Sequence, residues 1–153
     1  MVHLSAHAWD TICRHAQETF PDECCGVILS RTGKDEVHRI PNIQNAMHAK
    51  DPQGYPRDAT IAYFMDPQAL LAVLTEVDRG QGELKAFYHS HPNHDAYFSA
   101  EDKARALFGD EPSYPGASYV VISIYDREVK TIRAYAWDES KKDFVEQELR
   151  TEV

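Results

Sequence analysis

Apolar positions along the chain keep two spacings, and each predicts an element type. Ala8, Trp9, Ile12, Cys13, Ala16 and Phe20 recur near a 3.6-residue period behind Ser5, a natural helix cap, and Pro21 ends the run. A short strand at Val2–Leu4 precedes this helix. A second helix begins at Asp66-Pro67, a capping aspartate with proline at the first helical position. Leu70, Leu71, Val73, Leu74 and Val77 cover one of its sides to about Arg79, where Gly80-Gln81-Gly82 stops it. A third helix is predicted over 99–108, where Ser99 and Asp102 have capping-box spacing.

Continuous or alternating apolar runs mark the strands. Residues 24–30 and 36–40 flank the turn Arg31-Thr32-Gly33-Lys34 and make a hairpin; 60–64 and 84–91 supply two more strands. The strongest pattern, Ser118–Tyr125, is followed by the turn Asp126-Arg127, the alternating run 129–137, a turn over 138–142 and a last strand over 143–149. Residues 41–57 lose periodicity and gather Asn42, Asn45, Asp51, Pro52, Gly54 and Pro56, which predicts a long loop. Loops of that length tend to be functional, so this one is read as a contact surface for substrate or for a second copy of the chain in a homodimer. Residues 109–116 read as a Pro-containing connector. Strands interleaved with three helices predict an α+β fold, a mixed and mostly antiparallel sheet flanked by helices, in one domain over 1–153.

Composition narrows the class. With 42% hydrophobic and 27% charged residues the chain has what a folded core needs and is not of disordered type. A formal charge of -9 argues against a nucleic-acid partner, since such proteins present a basic face to phosphates. No apolar run approaches the roughly 20 residues of a membrane span, and Met1-Val2-His3-Leu4-Ser5 has no secretory character, so the expected location is cytoplasmic, with no membrane partner. Cys13, Cys24 and Cys25 form neither a disulfide framework nor a Cys-x-x-Cys knuckle and read as reduced, partly buried thiols.

The candidate chemistry sits at the end of the 84–91 strand. His89 and His91, separated by one residue, point to the same side of an extended chain and can share a cation. Eight histidines make chance proximity common, but Pro92 follows the pair, and Asp102 lies eleven residues beyond it in the first turn of the third helix. Two neutral imidazoles and a carboxylate suit Zn²⁺ and leave a tetrahedral position open for hydrolytic chemistry. Hydrolysis also needs a base. Glu23, just before a buried strand, is the candidate, although its local sequence reads first as an exposed turn carboxylate. Ser99 has two readings, as the helix cap or as a donor to an oxyanion. Cys24 and Cys25, on an apolar strand, read as packing rather than as nucleophiles.

Together Glu23, His89-Ser90-His91-Pro92, Ser99 and Asp102 resemble the motif of the JAMM/MPN+ zinc metalloprotease family, and Pro21-Asp22-Glu23-Cys24-Cys25-Gly26 looks like that family's glutamate segment. The order of predicted elements is similar over nearly the whole chain, which implies a sheet with flanking helices related to the cytidine deaminase-like fold. The resemblance implies Glu23 as general base, His89, His91 and Asp102 as zinc ligands, and Ser99 as the oxyanion-stabilising residue. Phe98 departs from the family, which often places proline there; Tyr97-Phe98 is read instead as a cleft lining. The segments Asn42-Ile43-Gln44-Asn45 and Tyr88-His89-Ser90-His91-Pro92-Asn93-His94 are most similar to the stand-alone bacterial branch. That similarity implies a metallopeptidase or isopeptidase cutting after the Gly-Gly tail of a ubiquitin-like sulfur carrier protein. Two alternatives follow from the same resemblance: a deconjugating protease of a bacterial ubiquitin-like or antiphage pathway, and a non-catalytic MPN-type binding scaffold.

Overall fold

A computed structural model describes residues 1–152. Among these residues the chain runs β1 (Val2–Leu4), α1 (Ala6–Thr19), β2 (Cys25–Arg31), β3 (Lys34–Ile40), α2 (Gln44–Lys50), α3 (Pro67–Asp78), β4 (Glu83–Pro92), α4 (Ala100–Ala106), β5 (Leu107–Phe108), β6 (Glu111–Pro112), β7 (Ser118–Tyr125), β8 (Glu128–Asp138), β9 (Asp143–Gln147) and β10 (Leu149–Thr151). Six strands make the central sheet in the order β3-β2-β4-β7-β8-β9. Neighbours are antiparallel except β4 and β7, which are parallel. A parallel pair needs a crossover, and residues 93–117, carrying α4 and the β5–β6 ribbon, provide it. The expected α+β architecture, a mostly antiparallel sheet flanked by helices, is the one observed.

Period-two alternation divides the core between the two faces of this sheet. On one face Leu4, Ile12, Ala16, Ile28, Tyr88, Val120 and Ile122 pack between α1 and the strands. On the other, Val27, Leu29, Phe87, Phe98, Tyr119 and Phe144 form an aromatic-rich cluster, completed by Val73 of α3 and Ala106 of α4. Stacked and edge-on pairs such as Phe98 with Tyr135 (5.4 Å) and Phe87 with Tyr119 (5.5 Å) hold this second layer. Gly26 is required where β2 passes β4: a Cβ there would lie 2.3 Å from the Tyr88 ring.

Four expectations are corrected. The 41–57 segment contains the helix α2, because Gln44, Ala46, Met47, Ala49 and Lys50 are good helix formers and the Asn42 side chain accepts from the Gln44 amide at its start (3.0 Å). Only one buried residue marks that helix, so no periodicity announces it. Residues 60–64 form no strand. Asn42 pins them instead, its amide donating to Ala62 O and its carbonyl oxygen accepting from Phe64 N, beside an isolated bridge from Asn42 to Met65. The third predicted helix ends at Ala106, where Leu107 turns extended and joins the ribbon closed by Gly109 at φ +65°. The last predicted strand splits: β9 stays in the sheet, while β10 leaves to pair in parallel with β1.

Candidate active site

The antiparallel register of β2 and β4 brings the distant parts of the site together. Cys25 lies opposite His89, and Ser90 N–H donates to Cys24 O (3.1 Å) while Cys24 N–H donates to Ser90 Oγ (2.8 Å). Continuing that register carries Glu23 to the level of His91. The loop side clamps the glutamate from both ends: Glu23 N–H donates to Ala59 O (2.7 Å), and Asn42 Nδ2 donates to Glu23 O (2.9 Å). Glu23 is therefore a buried residue, 5% exposed, and not the exposed turn carboxylate its local sequence suggested. Burial first, and then the nearby Asp102 carboxylate, push its carboxyl well above the usual range.

His89, His91 and Asp102 are all buried, and one ligand atom from each lies within 4.8 Å of the others. The two imidazole Nε2 atoms are 3.0 Å apart, and Asp102 Oδ2 stands 3.2 Å from His89 Nε2 and 3.3 Å from His91 Nε2. His91 Nδ1 donates to Asp95 O (2.8 Å), which orients the ring with its Nε2 aimed into the cluster. Burial drives the His89 imidazole below its ordinary pKa against the pull of Asp102, so it stays neutral near pH 7. Burial alone would raise Asp102; His89, His91 and the Ser99 amide outweigh it and hold the carboxyl well below the usual range. Two imidazole Nε2 atoms and a carboxylate converging in a buried pocket are the donor set of a metal site, and they fit a cation that replaces the protons they share.

Ser99 caps α4. Its Oγ accepts from Asp102 N–H (3.0 Å), while its own amide donates to Asp102 Oδ2 (3.0 Å), closing the box that orients the Asp102 carboxylate. Glu23, His91, Ser99 and Asp102 line one cavity of about 340 Å³, together with Tyr63, Tyr97 and two arginines. Phe98, by contrast, turns away from the cavity into the aromatic cluster, where it stacks on Tyr135. Cys24 and Cys25 are fully buried free thiols, pushed by burial up to about 12 for Cys24 and further for Cys25, which suits packing and not nucleophilic chemistry.

Two positioning residues escaped sequence reasoning. Asn42 ties Glu23 O, Ala62 O, Gln44 N and Phe64 N together through one side chain. Tyr63 stacks on His89 with ring centroids 4.6 Å apart. The signal for Asn42 was its place in Asn42-Ile43-Gln44-Asn45; for Tyr63 the expected strand concealed it.

The fold is a mostly antiparallel sheet flanked by helices, and its cavity is lined in part by a buried His89–His91–Asp102 cluster that fits a metal ion. The chain belongs to the prokaryotic homologs of the JAB domain, whose family model matches residues 5–138. It is 32% identical over 124 residues to a desampylase of Haloferax volcanii, covering 78% of each chain. It is 30% identical over 132 residues to the CysO-cysteine peptidase of Mycobacterium tuberculosis, covering 86% of this chain and 80% of that one. A crystal structure of a JAB1/MPN domain protein from Archaeoglobus fulgidus superposes over 99% of this chain and 97% of its own, with a TM-score of 0.57 at 15% identity, which speaks to the fold alone. Among the described residues no helix is long and apolar enough to cross a membrane.

Proposed function

We propose that this protein is a zinc-dependent peptidase that hydrolyses the bond after the C-terminal Gly-Gly tail of a ubiquitin-like protein, a sulfur carrier by resemblance. One observation carries the reading: the His89–His91–Asp102 cluster opens on the cavity that Glu23 and Ser99 also line. Similarity to enzymes named desampylase and CysO-cysteine peptidase supports the substrate class.

In this reading His89, His91 and Asp102 hold the metal. Zn²⁺ bound there would polarise the scissile carbonyl and lower the pKa of water. Glu23, buried on the cavity wall, takes a proton from the attacking water and passes it to the departing nitrogen. Water's oxygen adds to the carbonyl carbon, the C–N bond breaks, and the products are a tail carboxylate and a free amine. Ser99 fills both roles read from its sequence. A hydroxyl has two acceptor lone pairs and one proton, so Oγ can receive the Asp102 amide while its O–H faces the developing oxyanion.

The test incubates the protein with ubiquitin-like carriers extended beyond Gly-Gly, with and without a chelator, and reads the cut position by mass. Cleavage directly after Gly-Gly that stops on chelation is expected; chelator-insensitive cleavage sinks the mechanism. Elemental analysis expects about one zinc per chain, and its absence favours a non-catalytic scaffold. The desampylase similarity favours a second reading of the substrate, a conjugate released from another protein.

A further inference from the structure

The two imidazoles of the cluster are steadied in different ways. His91 donates from Nδ1 to Asp95 O (2.8 Å), an acceptor in the loop that directly follows it. His89 lies instead against the ring of Tyr63, with centroids 4.6 Å apart and planes 29° from parallel. A histidine ring turns easily about its Cβ–Cγ bond, because that torsion has a broad profile. A flat ring packed on its face blocks the turn and holds Nε2 toward His91 Nε2 and Asp102 Oδ2.

The chain on either side of Tyr63 is tied down. Asn42 accepts from Phe64 N–H (2.9 Å) and donates to Ala62 O (3.3 Å), which fixes the backbone that carries the ring. On α4 the Arg105 guanidinium lies 5.6 Å from the centroid of the same ring. The ring therefore meets β4, which carries His89, and α4, which carries Asp102. It also divides two cavities: the one that His91 and Asp102 line, and an apolar one of about 400 Å³ bounded by Phe64, Leu70 and Tyr114. With open space beside it on two fronts, truncating the ring leaves a gap that its neighbours fill only in part.

Resting on the metal reading, we infer that Tyr63 is a positioning residue for the metal, and that through it the 60–64 segment and metal binding are thermodynamically linked. A ligand ring already fixed loses less freedom when the cation arrives, so the stack raises affinity. Linkage is reciprocal: by the factor that the stack tightens metal binding, metal binding tightens the stack and the segment behind it. The wall that Ile61, Ala62 and Tyr63 give the cavity is then set when the metal is in place.

The test titrates chelated protein with Zn²⁺ against a competing dye and compares Tyr63→Phe, Tyr63→Leu and Tyr63→Ala with wild type. Tyr63→Phe keeps the ring face and should bind zinc as wild type does. Tyr63→Ala should weaken zinc by about 10- to 100-fold, the usual cost of removing a partner that orients a metal ligand, and Tyr63→Leu, which keeps bulk without a flat face, should fall between. A merely structural role predicts lower melting temperatures for the chelated variants and an unchanged zinc affinity of the folded protein. That result overturns the inference, as does a loss in Tyr63→Phe equal to the loss in Tyr63→Leu, a comparison that stands even if Tyr63→Ala fails to fold.

Hydrogen exchange gives the reciprocal readout. Saturating zinc should slow exchange of the Phe64 amide, which bonds Asn42 Oδ1, by more than it slows the amides of α1, and that excess should vanish in Tyr63→Leu. An equal excess in both proteins overturns the link. Wild-type protein that binds no zinc overturns the metal reading together with this inference, whereas zinc bound equally by wild type and Tyr63→Leu overturns the inference alone.

Discussion

On the α1 side of the sheet, Leu4, Ile12, Ile28, Tyr88, Val120 and Ile122 interlock with their side chains fully buried. On the opposite side the same strands present Phe87, His89, His91 and Tyr119, and the layer above them opens into a cavity lined by ionisable groups. Along β4 the two environments alternate residue by residue: Tyr88 and Ser90 serve the first, His89 and His91 the second. Burying aliphatic side chains contributes about 1.5–3 kcal/mol each, whereas burying carboxylates and imidazoles without a cation costs free energy. One face therefore supplies stability that the other consumes, and the two should separate under mutation.

The largest effects test the cavity face. Glu23→Gln should lower turnover by about 10²- to 10⁴-fold, the usual contribution of a positioned base, and leave the melting temperature equal or higher because a buried carboxyl is gone. Near-wild-type rates in this variant, measured as initial velocities beside a thermal melt, would remove Glu23 from its assigned role. Next in size is the metal. Zinc at about 100 times its Kd should stabilise the chelated protein by about 2.7 kcal/mol, a rise of several degrees in Tm, and His91→Ala should abolish that rise. A zinc-independent Tm would break the claim that this face is incomplete without a cation.

Gly26→Ala tests the other face. The added methyl would sit 2.3 Å from the ring of a fully buried Tyr88, so overpacking should cost about 1–3 kcal/mol, with Tm falling on the order of 5 °C. The rate per folded molecule should stay within about twofold of wild type, since the clash lies across the sheet from the cavity. A large loss of rate with unchanged Tm would show that the faces are coupled through β2.

How far each face was legible in the sequence follows the same division. Ala8, Ile12 and Ala16 keep a helical period, and 118–125 and 129–137 are strands on sight, because each pattern is local and reports burial directly. The pair His89-x-His91 and the capping spacing of Ser99 and Asp102 were legible for the same reason: each sits within one element. The burial of Glu23 was not, since it depends on the β2–β4 register and on a long-range bond from Asn42. Nor was α2, whose single buried residue, Gln44, looks polar in sequence and is buried because its amide reaches Arg57 O. Periodicity reads a residue's own element; the cavity face is assembled by residues whose partners lie tens of positions away.

The smallest effect concerns acid stability on the α1 side. His15 bonds the Tyr88 hydroxyl at 2.7 Å, and burial, reinforced by Arg39 and partly offset by Glu18, lowers its pKa from 6.5 to about 4. Between those values the unfolded chain binds a proton at this position that the folded chain refuses. Stability conferred by the neutral ring is fully present above pH 6.5 and declines as pH falls toward 4, where the loss levels off. The slope cannot exceed about 1.4 kcal/mol per pH unit, and it is shallower here because the ring is only half-buried and keeps part of its hydration. Chelated protein carries an acid response from His89 as well, lowered by burial on the cavity face. Urea midpoints of chelated wild type and His15→Gln at pH 7 and pH 5 therefore isolate the α1 side: the variant should lose less stability over that interval, and identical losses would assign the whole acid response to the cavity.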